Sequence, residues 1–130
     1  MNTFIRKMPT STKNDLWYEI IDEETREPIG RIEYTIDKNK KVTNIDYVYI
    51  FPEHREKGIL KSIFPEIINN IKCEDVDLIT LDSIRQEATD VWKRMGFVEK
   101  YTYVDNIGIK KTKMEKDISD IKADCNLYKL

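Results

Sequence analysis

The chain is poor in the residues that most often carry metal or redox chemistry. One histidine in 130 residues excludes a multi-histidine metal site and leaves little for a Ser–His–Asp arrangement. Two cysteines, Cys73 and Cys125, are too few for a disulfide framework and lack metal-ligand spacing, so no metal is expected. With four glycines and four prolines there is no low-complexity stretch, and no internal repeat is present. Apolar runs extend over only a few residues, as at 47–51, which excludes a membrane-spanning helix. No apolar stretch follows a basic start, so a secretory signal is not expected. Neither sign of charge dominates: 22 Lys and Arg stand against 24 Asp and Glu, and a net charge of −2 offers nucleic acid no broad cationic surface. What is present suffices for one core, since the chain is 15.5 kDa, 40% hydrophobic and 10% aromatic. The default expectation is a soluble, cytoplasmic, single-domain protein.

Alternating positions predict strands at 3–7, 16–22, 29–37 and 42–51, the last rich in β-branched and aromatic residues. Their connections are short, so the first 51 residues read as an antiparallel meander. The period then changes. Ile59, Ile63, Phe64, Ile67, Ile68 and Ile71 recur at spacings of three and four, the pattern of one helical face opened by Gly58. Pro65 predicts a kink in that helix. A strand at 76–81 follows, then a second helix expected to be capped by Ser83, to bury Ala88, Val91, Trp92 and Met95, and to end at Gly96. Strands at 97–104 and 109–118 flank a turn at 105–108, with Met114 and Ile118 inward. Residues 1–118 read as one domain, and 119–130 as a tail or extra strand of it with an extended piece at 127–130. The order βββ(β)–α–β–α–β–β predicts a mixed α/β domain of the α+β kind.

The most informative stretch is 47–60, a strand, then Pro52-Glu53-His54-Arg55-Glu56-Lys57-Gly58, then a helix. A strand feeding a glycine-opened helix gathers unpaired backbone N–H groups at one point, and the helix dipole adds to their attraction for a phosphate. On spacing alone the same joint also reads as an ordinary tight connection, with Lys57 a solvated charge.

Ile50-Phe51-Pro52-Glu53-His54-Arg55-Glu56-Lys57-Gly58-Ile59 resembles motif A of the GNAT superfamily of N-acetyltransferases, whose pattern is Arg/Gln-x-x-Gly-x-Gly/Ala after a strand end. Ala88-x-x-x-Trp92-x-x-x-Gly96-Phe97 is similar to the family's motif B, usually Ala-x-x-x-Tyr-x-x-x-Gly-Phe, and 114–118 resembles its closing strand. The likeness runs over residues 16–118. It implies the GNAT acyl-CoA N-acyltransferase fold, a central mostly antiparallel sheet flanked by helices, with acetyl-CoA as acyl donor. It further implies that Val48 and Ile50 lie beside the pantetheine arm. Arg55, Glu56, Lys57, Gly58, Ile59, Leu60 and Lys61 would surround the pyrophosphate, and Trp92 would wall the CoA channel.

The chain departs from the pattern at three positions. Leu60 stands where Gly or Ala is usual, and Arg85 where Asn is usual. Trp92 replaces the tyrosine that often protonates the departing thiolate, and an indole N–H cannot act as that acid. Only residues 7–15 separate the first two strands, too few for the two helices that wall the acceptor site in many relatives. The acceptor side is therefore expected to be open, or closed by a partner subunit. Asp46 and Glu33 are the candidate bases; alternation over 46–50 puts Asp46 on the face of Val48 and Ile50. Tyr103, with Tyr101, is the candidate replacement acid. His54 is expected to face solvent, Cys73 to be structural, Cys125 to be without an activating partner, and the Lys110-Lys111-x-Lys113 cluster to be a solvated strand face. The resemblance implies an acetyl-CoA-dependent N-acetyltransferase working by direct transfer to a primary amine, on a small molecule or a peptide. The alternative is a non-catalytic GNAT-fold module that binds CoA or a protein partner. Exposed strand edges make a homodimer plausible.

Overall fold

The computed structural model describes residues 2–125, and the extended piece expected at 127–130 lies outside them. Seven strands form one sheet in the order β1-β2-β3-β4-β5-β7-β6. They are β1 (Thr3–Lys7), β2 (Asp15–Asp22), β3 (Pro28–Asp37), β4 (Val42–Ile50), β5 (Leu78–Ser83), β6 (Val98–Val104) and β7 (Lys110–Asp117). Every neighbouring pair is antiparallel except β4 and β5, which are parallel and joined by a helical crossover, as parallel pairing requires. That helix is α1 (Ile59–Lys72); the second, α2 (Gln86–Arg94), links β5 to β6.

The two helices share one face of the sheet. Leu16, Tyr34, Ile45, Leu81 and Met114 occupy one row across five strands and join a single buried cluster with Ile63, Phe64, Ile67 and Ile71 of α1 and Trp92 of α2. Helix α1 runs on across Pro65, which stands on its exposed side. Lys61, whose carbonyl loses its helical N–H partner to the proline, is itself an exposed residue, and solvation on that side limits the cost of the proline. Met114 and Ile118 are fully buried, as their parity predicted. On the opposite face the rows Trp17–Glu33–Tyr47 and Glu19–Arg31–Tyr49 are exposed or half-buried, and among the described residues no helix covers them.

Local chemistry departs from expectation at three places. Strand β5 starts at Leu78, because its pairing with β4 begins at Val42–Leu78; Val76 is buried ahead of it. Ser83 does not cap α2, whose N-cap is Arg85. Its hydroxyl sits 2.7 Å from that of Thr89 and donates to the Arg85 carbonyl at 3.1 Å, so it ties the end of β5 to the helix, and Thr89 joins Trp92 as a buried residue of α2. The two cysteines, Cys73 expected to be structural and Cys125 to lack an activating partner, form a single disulfide, Cys73–Cys125. The segment after β7 therefore lies along the end of α1. There Asn69 donates to the Asp124 carbonyl at 3.1 Å and accepts from the Asp124 N–H at 2.8 Å, and Ile121 packs on the core.

Candidate active site

The parallel pair β4 and β5 is hydrogen-bonded from Val42–Leu78 to Ile45–Leu81 and no further. A bulge on β4 marks the parting. Tyr34 of β3 faces Ile45 and Glu33 faces Tyr47, so Asp46 is an extra residue. The extra residue reverses the side-chain parity. Thr43 and Ile45 point to the core before it, and Val48 and Ile50 after it. Residues 46–50 then continue with no strand among the described residues on their β5 side, leaving a flank of backbone groups open to an amide-bearing ligand.

Where the strands part, a cleft of about 650 Å³ opens between the head of α1 and the side of α2. Gly58, the N-cap of α1, has φ +71°, and a side chain there would meet nothing within 4 Å. The cap makes no side-chain hydrogen bond and the first turn holds no acidic residue, so the orphan N–H groups of that turn are unmatched by any carboxylate. Arg55 donates through Nε to the Ile50 carbonyl at 2.8 Å and lays its guanidinium over Tyr49 at 5.1 Å, bracing the loop against the strand. His54 does not face solvent as expected. It closes a 3₁₀ turn (Pro52–His54) and lines the cleft.

The candidate bases lie on the uncovered face. Asp46 and Glu33 border a shallow recess of about 490 Å³ together with Asp15, Trp17 and Tyr47. Asp46 is exposed and accepts from the Thr35 hydroxyl at 2.5 Å and the Asn44 amide at 2.7 Å. It therefore does not share a face with Val48 and Ile50; the bulge breaks the alternation that predicted so. Arg31 spans the recess walls, 5.8 Å from the Trp17 ring and 5.4 Å from that of Tyr47. Tyr103 lines neither the cleft nor this recess. Its hydroxyl bonds to the carboxylate of Asp82, the residue following the last β4–β5 pair, and that bond pushes the phenol up to about 12. Lys113 pairs with Asp82 at 3.1 Å and Lys111 with Asp105 at 3.3 Å, so two of the three clustered lysines are matched by acids.

The family described as acetyltransferase (GNAT) domain matches residues 6–118. The chain belongs to the GNAT acetyltransferase family. Solved structures agree on the fold. The Vibrio cholerae spermidine N-acetyltransferase in complex with CoA and spermine aligns with a TM-score of 0.72 over 81% of this chain and 66% of its own, at 18% identity. Nourseothricin acetyltransferase aligns with a TM-score of 0.71 over 88% of this chain and 84% of its own, at 12% identity. No curated protein matches the chain by sequence.

In this GNAT domain the residues expected around CoA divide. Ile50, Arg55, Glu56, Gly58, Ile59, Leu60 and Lys61 line the cleft; Lys57 is exposed outside its lining, and Val48 packs against the core. Leu60 does both, bordering the cleft while half-buried on the core. Trp92 is elsewhere. It is 8% exposed and wedged between Phe64 and Phe97, at ring distances of 5.8 and 5.2 Å. The cause is helical phase: Glu87, Asp90, Val91, Arg94 and Met95 of α2 border the cleft, and one residue of rotation carries Trp92 into the core. Sequence reasoning missed Glu87, Asp90 and Arg94, although their three- and four-residue spacing places them on the face away from Thr89 and Trp92. The donor set at the head of α1, backbone N–H groups with Lys61 beside them and no first-turn acid, fits a pyrophosphate.

Proposed function

We propose that this GNAT protein is an acetyl-CoA-dependent N-acetyltransferase that moves an acetyl group to a primary amine by direct transfer. The observation that carries the reading is the cleft opened where β4 leaves β5, walled by an uncapped helix N-terminus. Acetyl-CoA bound there supplies a thioester activated toward attack. The N–H groups of 58–61 hold the pyrophosphate, and the open flank of β4 runs beside the pantetheine arm. The amine approaches from the face that no helix covers. Asp46, held by Thr35 and Asn44, takes the amine proton, directly or through water, with Glu33 as its neighbour in the recess. Tyr103 borders neither the cleft nor the recess, so it is assigned no proton transfer, and the departing thiolate takes its proton from water entering the open cleft.

Three carboxylates, Asp15, Glu33 and Asp46, line that recess against one cation beside it, Arg31 over the Trp17 and Tyr47 rings, and this excess of negative charge favours a cationic acceptor over a neutral one. Spermine in the spermidine N-acetyltransferase structure points the same way, to a small-molecule amine, with a peptide amine second. The reading includes a homodimer joined through the edge strand β6, which exposes Val98, Tyr101 and Val104; a monomer by light scattering would overturn that part. It also places the protein in the cytoplasm, where reducing thiols act against the Cys73–Cys125 bond. Recovery of that bond intact from cells would overturn the placement.

The test is release of CoA thiol from acetyl-CoA across a panel of primary amines. Turnover is expected with at least one diamine or polyamine, and Asp46→Asn lowers kcat by roughly 100-fold without altering CoA affinity. Tight CoA binding with no turnover anywhere in the panel would favour the non-catalytic module instead.

A further inference from the structure

Arg94 is the arginine of the cleft that no other group holds. It stands in the last turn of α2 on the row Glu87, Asp90, Arg94, which borders the cleft while Thr89 and Trp92 are buried in the core. An arginine four residues after an aspartate on a helix is well placed to pair with it. Here the Asp90 carboxylate instead accepts from Gln86 Nε2 at 3.0 Å, and the adjacent Lys93 pairs with Glu99 at 3.1 Å. Among the described residues Arg94 makes no ion pair or hydrogen bond. Arg55, the other arginine of the lining, is engaged on the Ile50 carbonyl and the Tyr49 ring. Lys61, in the first turn of α1, is the remaining cation and comes from the other helix.

We infer that Arg94 binds a phosphate group of CoA, closing from α2 the grip that the head of α1 begins. The inference rests on the reading of this cleft as the CoA site. A guanidinium offers a planar fork to phosphate oxygens, and here no protein acceptor competes for it. Lys61 adds a point charge from the other helix. The acids on the same row, Glu87 and Asp90, oppose an anion, so the preference for phosphate depends on Arg94 more than it would in a uniformly basic cleft.

Calorimetry on the full chain tests this with CoA and with dephospho-CoA, which lacks the 3′-phosphate. Arg94→Ala is expected to weaken CoA binding roughly 10- to 100-fold, the loss of one hydrogen-bonded charge contact. Arg94→Lys should recover much of the loss, and the dependence of Kd on salt should become shallower in Arg94→Ala. The ligand-free melting temperature should not move, because the side chain has no partner to lose. Weakening of CoA alone assigns Arg94 to the 3′-phosphate; equal weakening of both nucleotides assigns it to the pyrophosphate. Unchanged CoA affinity and salt dependence in Arg94→Ala would overturn the inference, as would an Arg94→Lys variant as weak as Arg94→Ala. Failure of the unaltered chain to bind CoA would instead overturn the reading of the cleft itself, and this inference with it.

Discussion

Truncating Trp92 to alanine separates its place in the core from the place expected of it on the CoA channel. The indole is 8% exposed and meets Phe64 and Phe97 edge-on, so its loss leaves a cavity where α1, α2 and the start of β6 come together. Deleting a buried aromatic of this size costs about 3–5 kcal/mol, against the roughly 5–15 kcal/mol that stabilises a domain of this kind. At about 4 °C per kcal/mol, Trp92→Ala should melt roughly 12–20 °C below the wild type. Trp92→Phe keeps a ring against both neighbours and should fall less. Urea unfolding should show a lower midpoint at an unchanged slope, since the same surface is exposed on unfolding. Trp92→Phe should bind CoA with unaltered affinity, because the cleft is bordered by Val91, Arg94 and Met95 and not by Trp92. A Trp92→Ala protein that melts within about 3 °C of the wild type while losing CoA affinity tenfold or more would refute the assignment to the core.

Gly58→Trp should fold, since a side chain there meets nothing within 4 Å, but the positive φ costs about 1–2 kcal/mol and the indole covers the head of α1. CoA affinity should fall about 100-fold or more, as two or more hydrogen bonds to the anion are lost; near-normal affinity by calorimetry would show that the phosphate site is elsewhere. Cys125→Ser, or reduction of the wild type, should cost roughly 2–4 kcal/mol, because the Cys73–Cys125 bond closes a sequence separation of 52 residues in the unfolded chain. Equal melting temperatures with and without reductant would show that the bond does not form. The Tyr103 phenol, pushed up to about 12 by its bond to Asp82, should titrate in the ultraviolet well above the usual 10, and Asp82→Asn should bring it down. The folded protein holds this proton more tightly than the unfolded one, so the contribution to stability is complete below pH 10 and is lost as pH rises to about 12. A phenol titrating near 10 in both proteins would sink that assignment.

The fold was legible because most of it is written in short-range periodicity. The helix face from Ile59 to Ile71 and the strand parities of Ile32, Ile36 and Met114 follow from burying one face against one core. The failures are the places where a distant group decides a local outcome. Ser83 has the chemistry of a cap, yet its hydroxyl is engaged by Thr89 six residues on. Cys73 and Cys125 meet only because the segment after β7 returns along α1, which no spacing between two cysteines reports. The bulge at Asp46 is silent in a run of strand-forming residues, and one inserted residue moves every later side chain to the other face.

The same contrast divides the site. The half proposed for CoA is made largely of backbone: an uncapped helix head, a residue with positive φ, and a strand flank that loses its neighbour. Such a site needs a contiguous stretch with glycine in one place, so it survives as a motif over residues 50–59 even though Leu60 departs from the family pattern. The acceptor half is made of side chains from three strands, Asp15 and Trp17 of β2, Glu33 of β3, and Asp46 and Tyr47 of β4, brought together only by register. No spacing in the chain encodes that register. The bulge that opens the β4 flank also turns Asp46 onto the uncovered face, so a single irregularity serves both halves. Removing it, by deleting Asp46, should leave Val48 and Ile50 facing the core, since Ile45 and Tyr47 already face the consecutive residues Tyr34 and Glu33, but should take away the local bend that parts β4 from β5 and so disturb the cleft together with the recess, whereas Asp46→Asn should leave the cleft intact. Loss of CoA affinity in the deletion but not in the point variant is the signature of that shared origin.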